Sequence, residues 1–383
     1  MLGKITTEGN KLLFDRYRED CRKGLLRADN EQEKLIHKLD LLRNAIDGKN
    51  QSNFFFRWKP VSRSSRGLYI WGGVGRGKTY MMDLFFDGLQ SKLKKRTHFY
   101  RFMRDVHQRM SMLEGEKNPL QRVASDLSKE FQTLCLDEFF VEDIGDAMLL
   151  LGLMEGLIKN NVVIVTTSNL EPSRLYFNGL QRQRFLPAIA LLQTALDVHE
   201  LGNGEDFRMS TFSDAELYLC PHGPGVEKKF SAFVRELARG HVLALKQNAV
   251  IEINGRDMLC REIGKDIVWI EFSVLCETPR SSADYVELSN LFHSVLVSNI
   301  PRLTDAKSEA TRRFIALVDG LYDRGIKVLM SAAVPIPDLY CGQKFAFEFE
   351  RTESRLIEMQ SREYLRKTRS SFDCLNNLIN STI

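Results

Sequence analysis

Residues 72–79 read Gly-Gly-Val-Gly-Arg-Gly-Lys-Thr, a complete G-x-x-x-x-G-K-T run, and few backbone paths can satisfy it. Glycines at these positions let successive N–H groups turn inward on one anion, because no Cβ blocks left-handed or open conformations. The run follows the apolar segment 68–71 and opens an amphipathic stretch with Met82, Phe85, Phe86 and Leu89 on one helical face. A loop between a strand and a helix N-terminus is a phosphate site. Gly72, Gly73, Val74, Gly75, Arg76, Gly77, Lys78 and Thr79 are therefore expected to hold ATP. Lys78 should reach the β- and γ-phosphates, and the Thr79 hydroxyl should sit on Mg²⁺.

Residues 133–138, Thr-Leu-Cys-Leu-Asp-Glu, form an apolar strand ending in two carboxylates. Asp137 is expected to help hold Mg²⁺ through its shell, and Glu138 to polarise the attacking water. A carboxylate beside the metal suits hydrolysis, whereas a small-molecule kinase must exclude water. A third apolar segment, 163–169, ends in Asn169, which at a strand's carboxyl end is placed to orient that water. Arg182 and Arg184 precede the presumed fifth strand, where either is a candidate finger reaching a neighbouring subunit's γ-phosphate in a homo-oligomer. Arg312 and Arg313 begin a helix carrying Phe314, Leu317, Val318 and Leu321, and one of them is a candidate second sensor of the nucleotide or a surface group. A strand is expected over Thr97–Met103, and within the segment His98–His107 that contains most of it Arg101 and His107 are read as lining an interface or the active edge or serving structural hydrogen bonds.

The rest of the chain arranges itself around these motifs. Residues 1–65 are expected as a helical segment and connector, with one helix over 11–47 (Leu35, Leu39, Leu42 and Ile46 on a face) stopped at Gly48. Phe54, Phe55, Phe56 and Trp58 in the connector are packing candidates. Residues 66–205 form the P-loop core, an α/β parallel sheet of the ASCE/AAA+ type with further strands at 133–136, 162–166 and 195–199. The helix before the fourth strand should bury Ala147, Leu150, Leu151, Met154 and Ile158. Residues 206–383 form a C-terminal α+β region, with a hairpin at Asn254-Gly255 and strand, helix and strand near 293–298, 309–323 and 326–332. Whether that stretch extends the core sheet stays open.

Composition narrows the function classes. The formal net charge of +4 over 383 residues is too small to imply nucleic acid or lipid. The run Lys92-Leu93-Lys94-Lys95-Arg96 is expected to be solvated surface. Seven cysteines, none in a Cys-x-x-Cys pair, argue against a zinc site and for reduced thiols in a cytosol-like compartment. The first twenty residues carry neither a secretory apolar stretch nor an acid-poor transit signal, and a soluble, cytoplasmic protein is expected.

By these motifs the chain resembles the ZapE family of AAA+-type ATPases, which has mitochondrial AFG-like relatives. The resemblance rests on RGLYIWGGVGRGKTYMMDLFF, HFYRFMRDVH, LCLDEFFVEDIGDAMLL, TTSNLEP, LYFNGLQRQRFLPAI, SADYVELSNLFHSVL, ATRRFIALVDGLYDRGIKV and SRLIEMQSREYL, and is weakest at 1–25 and 203–262. It implies a Mg²⁺-dependent ATPase that destabilises polymers of the tubulin-like protein FtsZ in bacterial division, recruited to the division site at the inner membrane with peripheral membrane association. It also implies that Asp29 and Gln32 match a family Asp-x-x-Gln pattern in which Gln32 reads the adenine, helix-surface polarity being the alternative. Competing readings are quality control at a membrane, a nucleic-acid loader, a small-molecule kinase, and a nucleotide-gated adaptor with little turnover.

Overall fold

The computed structural model describes residues 13–23, 28–51, 67–73, 76–141, 143–202, 216–237, 245–264 and 266–366. The aromatic connector and Val74 and Gly75 lie outside them. The chain divides into two compact units, Met1–Glu205 and Asp206–Ile383.

In the first unit, two helices, α1 (Leu13–Arg22) and α2 (Asn30–Gln51), lead into β1 (Gly67–Gly72), α3 (Lys78–Gly88), β2 (Lys94–His98), α4 (Phe99–Met112), α5 (Pro119–Glu130), β3 (Thr133–Asp137), α6 (Ile144–Lys159), β4 (Val163–Ser168), α7 (Arg182–Ala195) and β5 (Leu196–Leu201). The five strands are parallel, in the order β2-β3-β4-β1-β5. Helices cover both faces, so central strands such as Thr133–Asp137 are buried throughout and read as continuous apolar runs. Side chains alternate between two cores. Leu68, Ile70, Cys135 and Val165 pack under α1, α2 and α3. Tyr69, Leu134, Leu136 and Ile164 pack under α4 to α7. The result is the expected α/β P-loop sheet in three layers.

Three local expectations are corrected. The strand expected over Thr97–Met103 ends at His98, and α4 starts at Phe99. Phe99, Phe102, Met103 and Val106 are all buried and recur at helical spacing, which outweighs the strand propensity of the aromatics. The leading helix is two helices, and α2 runs through Gly48 to Gln51. A lone glycine costs a helix about 1 kcal/mol, too little to stop one whose Leu35, Leu39, Leu42 and Ile46 are buried. On α6, Ala147, Leu150 and Met154 are buried as expected, whereas Leu151 and Ile158 are partly buried, and Leu153 and Leu157 complete the buried face.

The second unit holds β6 (Tyr218–Leu219), α8 (Pro224–Leu237), β7 (Lys246–Ile253), β8 (Arg256–Ile263), β9 (Ile267–Glu271), α9 (Ser282–Leu291), β10 (Ser294–Ile300), α10 (Ser308–Asp323), β11 (Lys327–Ala332), α11 (Ala346–Met359) and α12 (Arg362–Arg366). Its strands form a second sheet, β6-β11-β10-β9-β8-β7, so they do not extend the first. β6, β11, β10 and β9 are parallel, and β9-β8-β7 antiparallel. Asn254 and Gly255, with φ of 46° and 72°, turn β7 into β8 as expected of Asn-Gly. The buried Glu287 accepts the Asn254 N–H at 2.6 Å and pins that turn.

Candidate functional site

All strands of the first sheet run the same way, so the chain leaves them at one edge. β1 delivers the loop, β3 the Asp137-Glu138 pair, and β4, hydrogen-bonded between them, delivers Asn169. In such sheets ligands sit at the carboxyl edge.

The loop is built by close approaches. Gly72 has φ 155°, and a Cβ there would meet the Leu201 carbonyl oxygen at 2.4 Å. Gly77 has φ 79° and precedes α3, whose start has no side-chain cap, so the helix brings its positive end to the loop without a competing side-chain acceptor. Lys78 is buried, and its Nζ donates to the carbonyl oxygens of Gly72 at 2.7 Å and Gly73 at 2.6 Å. The ammonium is thus held over the loop.

α1 and α2 brace that loop from outside the motif. Gln32 is buried, not on a helix surface, and its Nε2 donates to the Arg76 carbonyl at 3.0 Å. Its Oε1 accepts from the Tyr17 hydroxyl at 3.1 Å, so the amide already has protein partners at both ends. Those contacts tie it to the loop backbone. Asp29 caps α2 through the Glu31 and Gln32 N–H groups, and its Oδ2 pairs with Arg76 at 2.7 Å. Burial alone would raise the Asp29 pKa, but these two amides and the Arg76 guanidinium hold it below the usual carboxylate range. Burial pushes the Tyr17 phenol up to about 12, so it stays a donor near neutral pH.

At the end of β3, Glu138 sits at φ 54°, a left-handed conformation uncommon outside glycine, with its N–H on Thr167 Oγ1 at 3.3 Å. Phe139 N–H donates to the Thr167 carbonyl at 2.7 Å, so β4 sets the direction in which the Glu138 side chain leaves. Asn169, half-buried just past β4, makes no side-chain hydrogen bond among the described residues.

Sequence reasoning missed Arg96 and Asp83. Arg96 on β2 is nearly buried, and its fork donates to both Asp137 oxygens, at 2.7 and 3.0 Å, and through Nη1 to Asp83 of α3. Burial disfavours its charge, yet the Asp137 and Asp83 carboxylates raise its pKa above the ordinary value. The run 92–96 is therefore not plain solvated surface. Lys94 Nζ likewise caps the Phe86 and Leu89 carbonyls. The available signal was alternation along β2, which puts Lys94, Arg96 and His98 on one side, together with Asp83 four residues after Thr79 on α3.

The remaining candidates are spread. Arg182 is tied to its own loop, through the Ser173 carbonyl at 2.7 Å and the Phe177 ring. Arg184 is exposed, and its side chain makes no hydrogen bond or ion pair among the described residues. His107 and Arg101 lie on α4, where His107 contacts Asp146 at 2.6 Å. Arg312 and Arg313 belong to the second unit: Arg312 is exposed on Glu309, and Arg313 donates to the Cys276 carbonyl.

Thr79, Asp137 and Glu138 offer only hard oxygen donors, the set that suits Mg²⁺, and the glycine cradle suits a polyphosphate. A model of the family described as AFG1-like ATPase matches residues 12–368. The chain belongs to this family. The AFG1-like chain is 44% identical over 302 residues to the Cell division protein ZapE of Escherichia coli (strain K12), covering 79% of this chain and 80% of that one. It is 34% identical over 348 residues to Lactation elevated protein 1 homolog B of Danio rerio, covering 78% and 68%. AMPPCP-bound DnaA from Aquifex aeolicus aligns at TM-score 0.33 and 12% identity over 55% of this chain and 61% of that chain, too distant to argue from. The family resemblance drawn from the motifs is borne out, and this AFG1-like protein is an ATP-hydrolysing enzyme. No described helix is long and apolar enough to cross a membrane.

Proposed function

We propose that this ATPase is Mg²⁺-dependent, works as a homo-oligomer, and couples hydrolysis to destabilising FtsZ polymers at the division site on the inner membrane. The observation that carries the catalytic part is the insertion of β4 between β1 and β3, which brings Asn169 between the loop and the Asp137-Glu138 pair. Thr79 and Asp137 would hold Mg²⁺, which when bound neutralises phosphate charge. The Glu138 carboxylate takes the proton from the water that attacks the γ-phosphorus as the bond to the bridging oxygen breaks and ADP leaves, and the Asn169 amide holds that water in line. Lys78 moves from the Gly72 and Gly73 carbonyls to phosphate oxygens. Arg184 of a neighbouring copy supplies the last positive charge, because Arg182 is already engaged. The division role is supported by the similarity to the protein named ZapE.

Glu138→Gln should retain ATP and lose turnover by about 10²–10⁴-fold; undiminished hydrolysis sinks the assignment. Mixing Lys78→Ala and Arg184→Ala chains should restore part of the activity if the site is shared. FtsZ polymers sedimented with the protein should be depleted from the pellet only when ATP is present. An unchanged pellet would redirect the search to another partner.

A further inference from the structure

The arginine that grips Asp137 points to a control on when metal enters the site. A carboxylate has about four lone-pair positions, and a bidentate arginine fork uses two while fixing the plane of the group. Asp137, with its side chain 9% exposed, is oriented in this way by Arg96, itself 14% exposed. The third arm of the same guanidinium goes to Asp83, one helical turn beyond Thr79 on α3. Two carboxylates and one guanidinium are thus interlocked at the end of β3, one helical turn along α3 from Thr79, and the trio carries one net negative charge instead of two.

We propose that Arg96 is a positioning residue and a resident counter-cation: it orients Asp137 for a water-mediated hold on the metal, and it keeps the nucleotide-free site from gathering a divalent cation before the phosphates arrive. This inference rests on the reading of Asp137 as a metal-holding group, and deepens it. Without Arg96, the two carboxylates it joins would be left uncompensated and would attract metal on their own. With it, metal comes in together with the negative charge of the triphosphate. A lysine at this position would supply the charge as a point without the planar fork.

The decisive measurement is Mn²⁺ binding to the full-length, nucleotide-free chain, followed by electron paramagnetic resonance. Arg96→Met should tighten Mn²⁺ binding at least about tenfold, the scale of one unit charge at a few ångströms even with screening close to that of bulk water. A merely structural arginine would on removal weaken binding or leave it unchanged, and either result overturns the proposal. Because removing one partner of a buried pair can unfold the chain, the same comparison is made in an Asp83→Asn background, where a charge of each sign leaves together. Arg96→Met/Asp83→Asn must bind Mn²⁺ more tightly than Asp83→Asn, and equal affinities reject the counter-cation. Arg96→Lys should stay within about twofold of the parent for Mn²⁺ yet need several-fold more Mg²⁺ for half-maximal ATP turnover, since the fork is lost while the charge remains. A parental Mg²⁺ requirement in that variant rejects the positioning role. If Asp137→Asn neither weakens metal binding nor slows hydrolysis, the metal-holding reading itself is wrong, a result distinct from failure at Arg96.

Discussion

Arg76, inside the phosphate loop, is ion-paired at 2.7 Å to Asp29, 47 residues earlier, and the same carboxylate caps the helix that carries Gln32 to the Arg76 carbonyl. The loop is therefore held from two sides, by its own strand and helix and by α1 and α2.

Asp29→Ala removes a helix cap and leaves the nearly buried Arg76 without its ion-pair partner. It should lower stability by about 1–3 kcal/mol and weaken ATP binding together. Lys34→Ala, which breaks an exposed pair with Glu31, should change neither by more than about 0.5 kcal/mol. Thermal unfolding and a nucleotide titration on both variants check this; equal effects would mean that the tether does not brace the loop.

His199 on β5 contacts the Glu31 carbonyl at 3.3 Å, at the start of the same helix. Burial, then the nearby Lys38, lowers its pKa below the ordinary 6.5. The unfolded chain therefore takes up a proton as pH falls through about 6.5 while the folded chain does not, so stability drops from there down to the folded pKa and is level above it. The opening free energy of α2 amides, from hydrogen exchange corrected for the intrinsic rate at each pH, should fall as pH drops below about 6.5, and His199→Gln should flatten this dependence. A parental slope in that variant would falsify the assignment.

How far the sequence reaches depends on the range of the interaction. The phosphate loop, the Asp137-Glu138 strand and the Asn254-Gly255 turn are contiguous, so local backbone chemistry alone marks them. Phe99, Phe102 and Met103 misled because aromatics favour strands, although their spacing was already helical. Arg96 was illegible for a different reason. Its partners lie 41 and 13 residues away, and only the pairing of β2 with β3 and the seating of α3 bring the three together. Gln32 likewise acts across 44 residues, so its helix surface looked polar instead of buried.

The two arginines of the 178–187 segment should separate cleanly. Arg182 holds the Ser173 carbonyl, so Arg182→Ala should loosen its loop and cost about 1 kcal/mol of stability with modest loss of turnover. The exposed Arg184 side chain makes no hydrogen bond or ion pair within its own chain among the described residues. Arg184→Ala should leave melting temperature and ATP affinity unchanged and cut turnover about 10³-fold. Steady-state kinetics and calorimetry on the pair decide it, and a reversed pattern would move the finger to Arg182.

Neighbouring glycines in the loop should differ just as sharply. Gly72 pairs with Leu201 across β1 and β5, and an added methyl would lie 2.4 Å from the Leu201 carbonyl oxygen. Backbone cannot give way as a side-chain end can, so Gly72→Ala must spread the two strands at the point where the loop departs. A destabilisation of about 1–3 kcal/mol and a loss of ATP retention are expected. At Gly73 the nearest atom to such a methyl is Arg76 Cγ at 3.9 Å, an ordinary contact. Gly73→Ala should therefore melt within about 0.5 kcal/mol of the parent. Denaturant unfolding of both variants, beside filter retention of labelled ATP, checks the contrast. If the two alanines are equally harmful, the crowding at Leu201 is not what requires glycine at position 72.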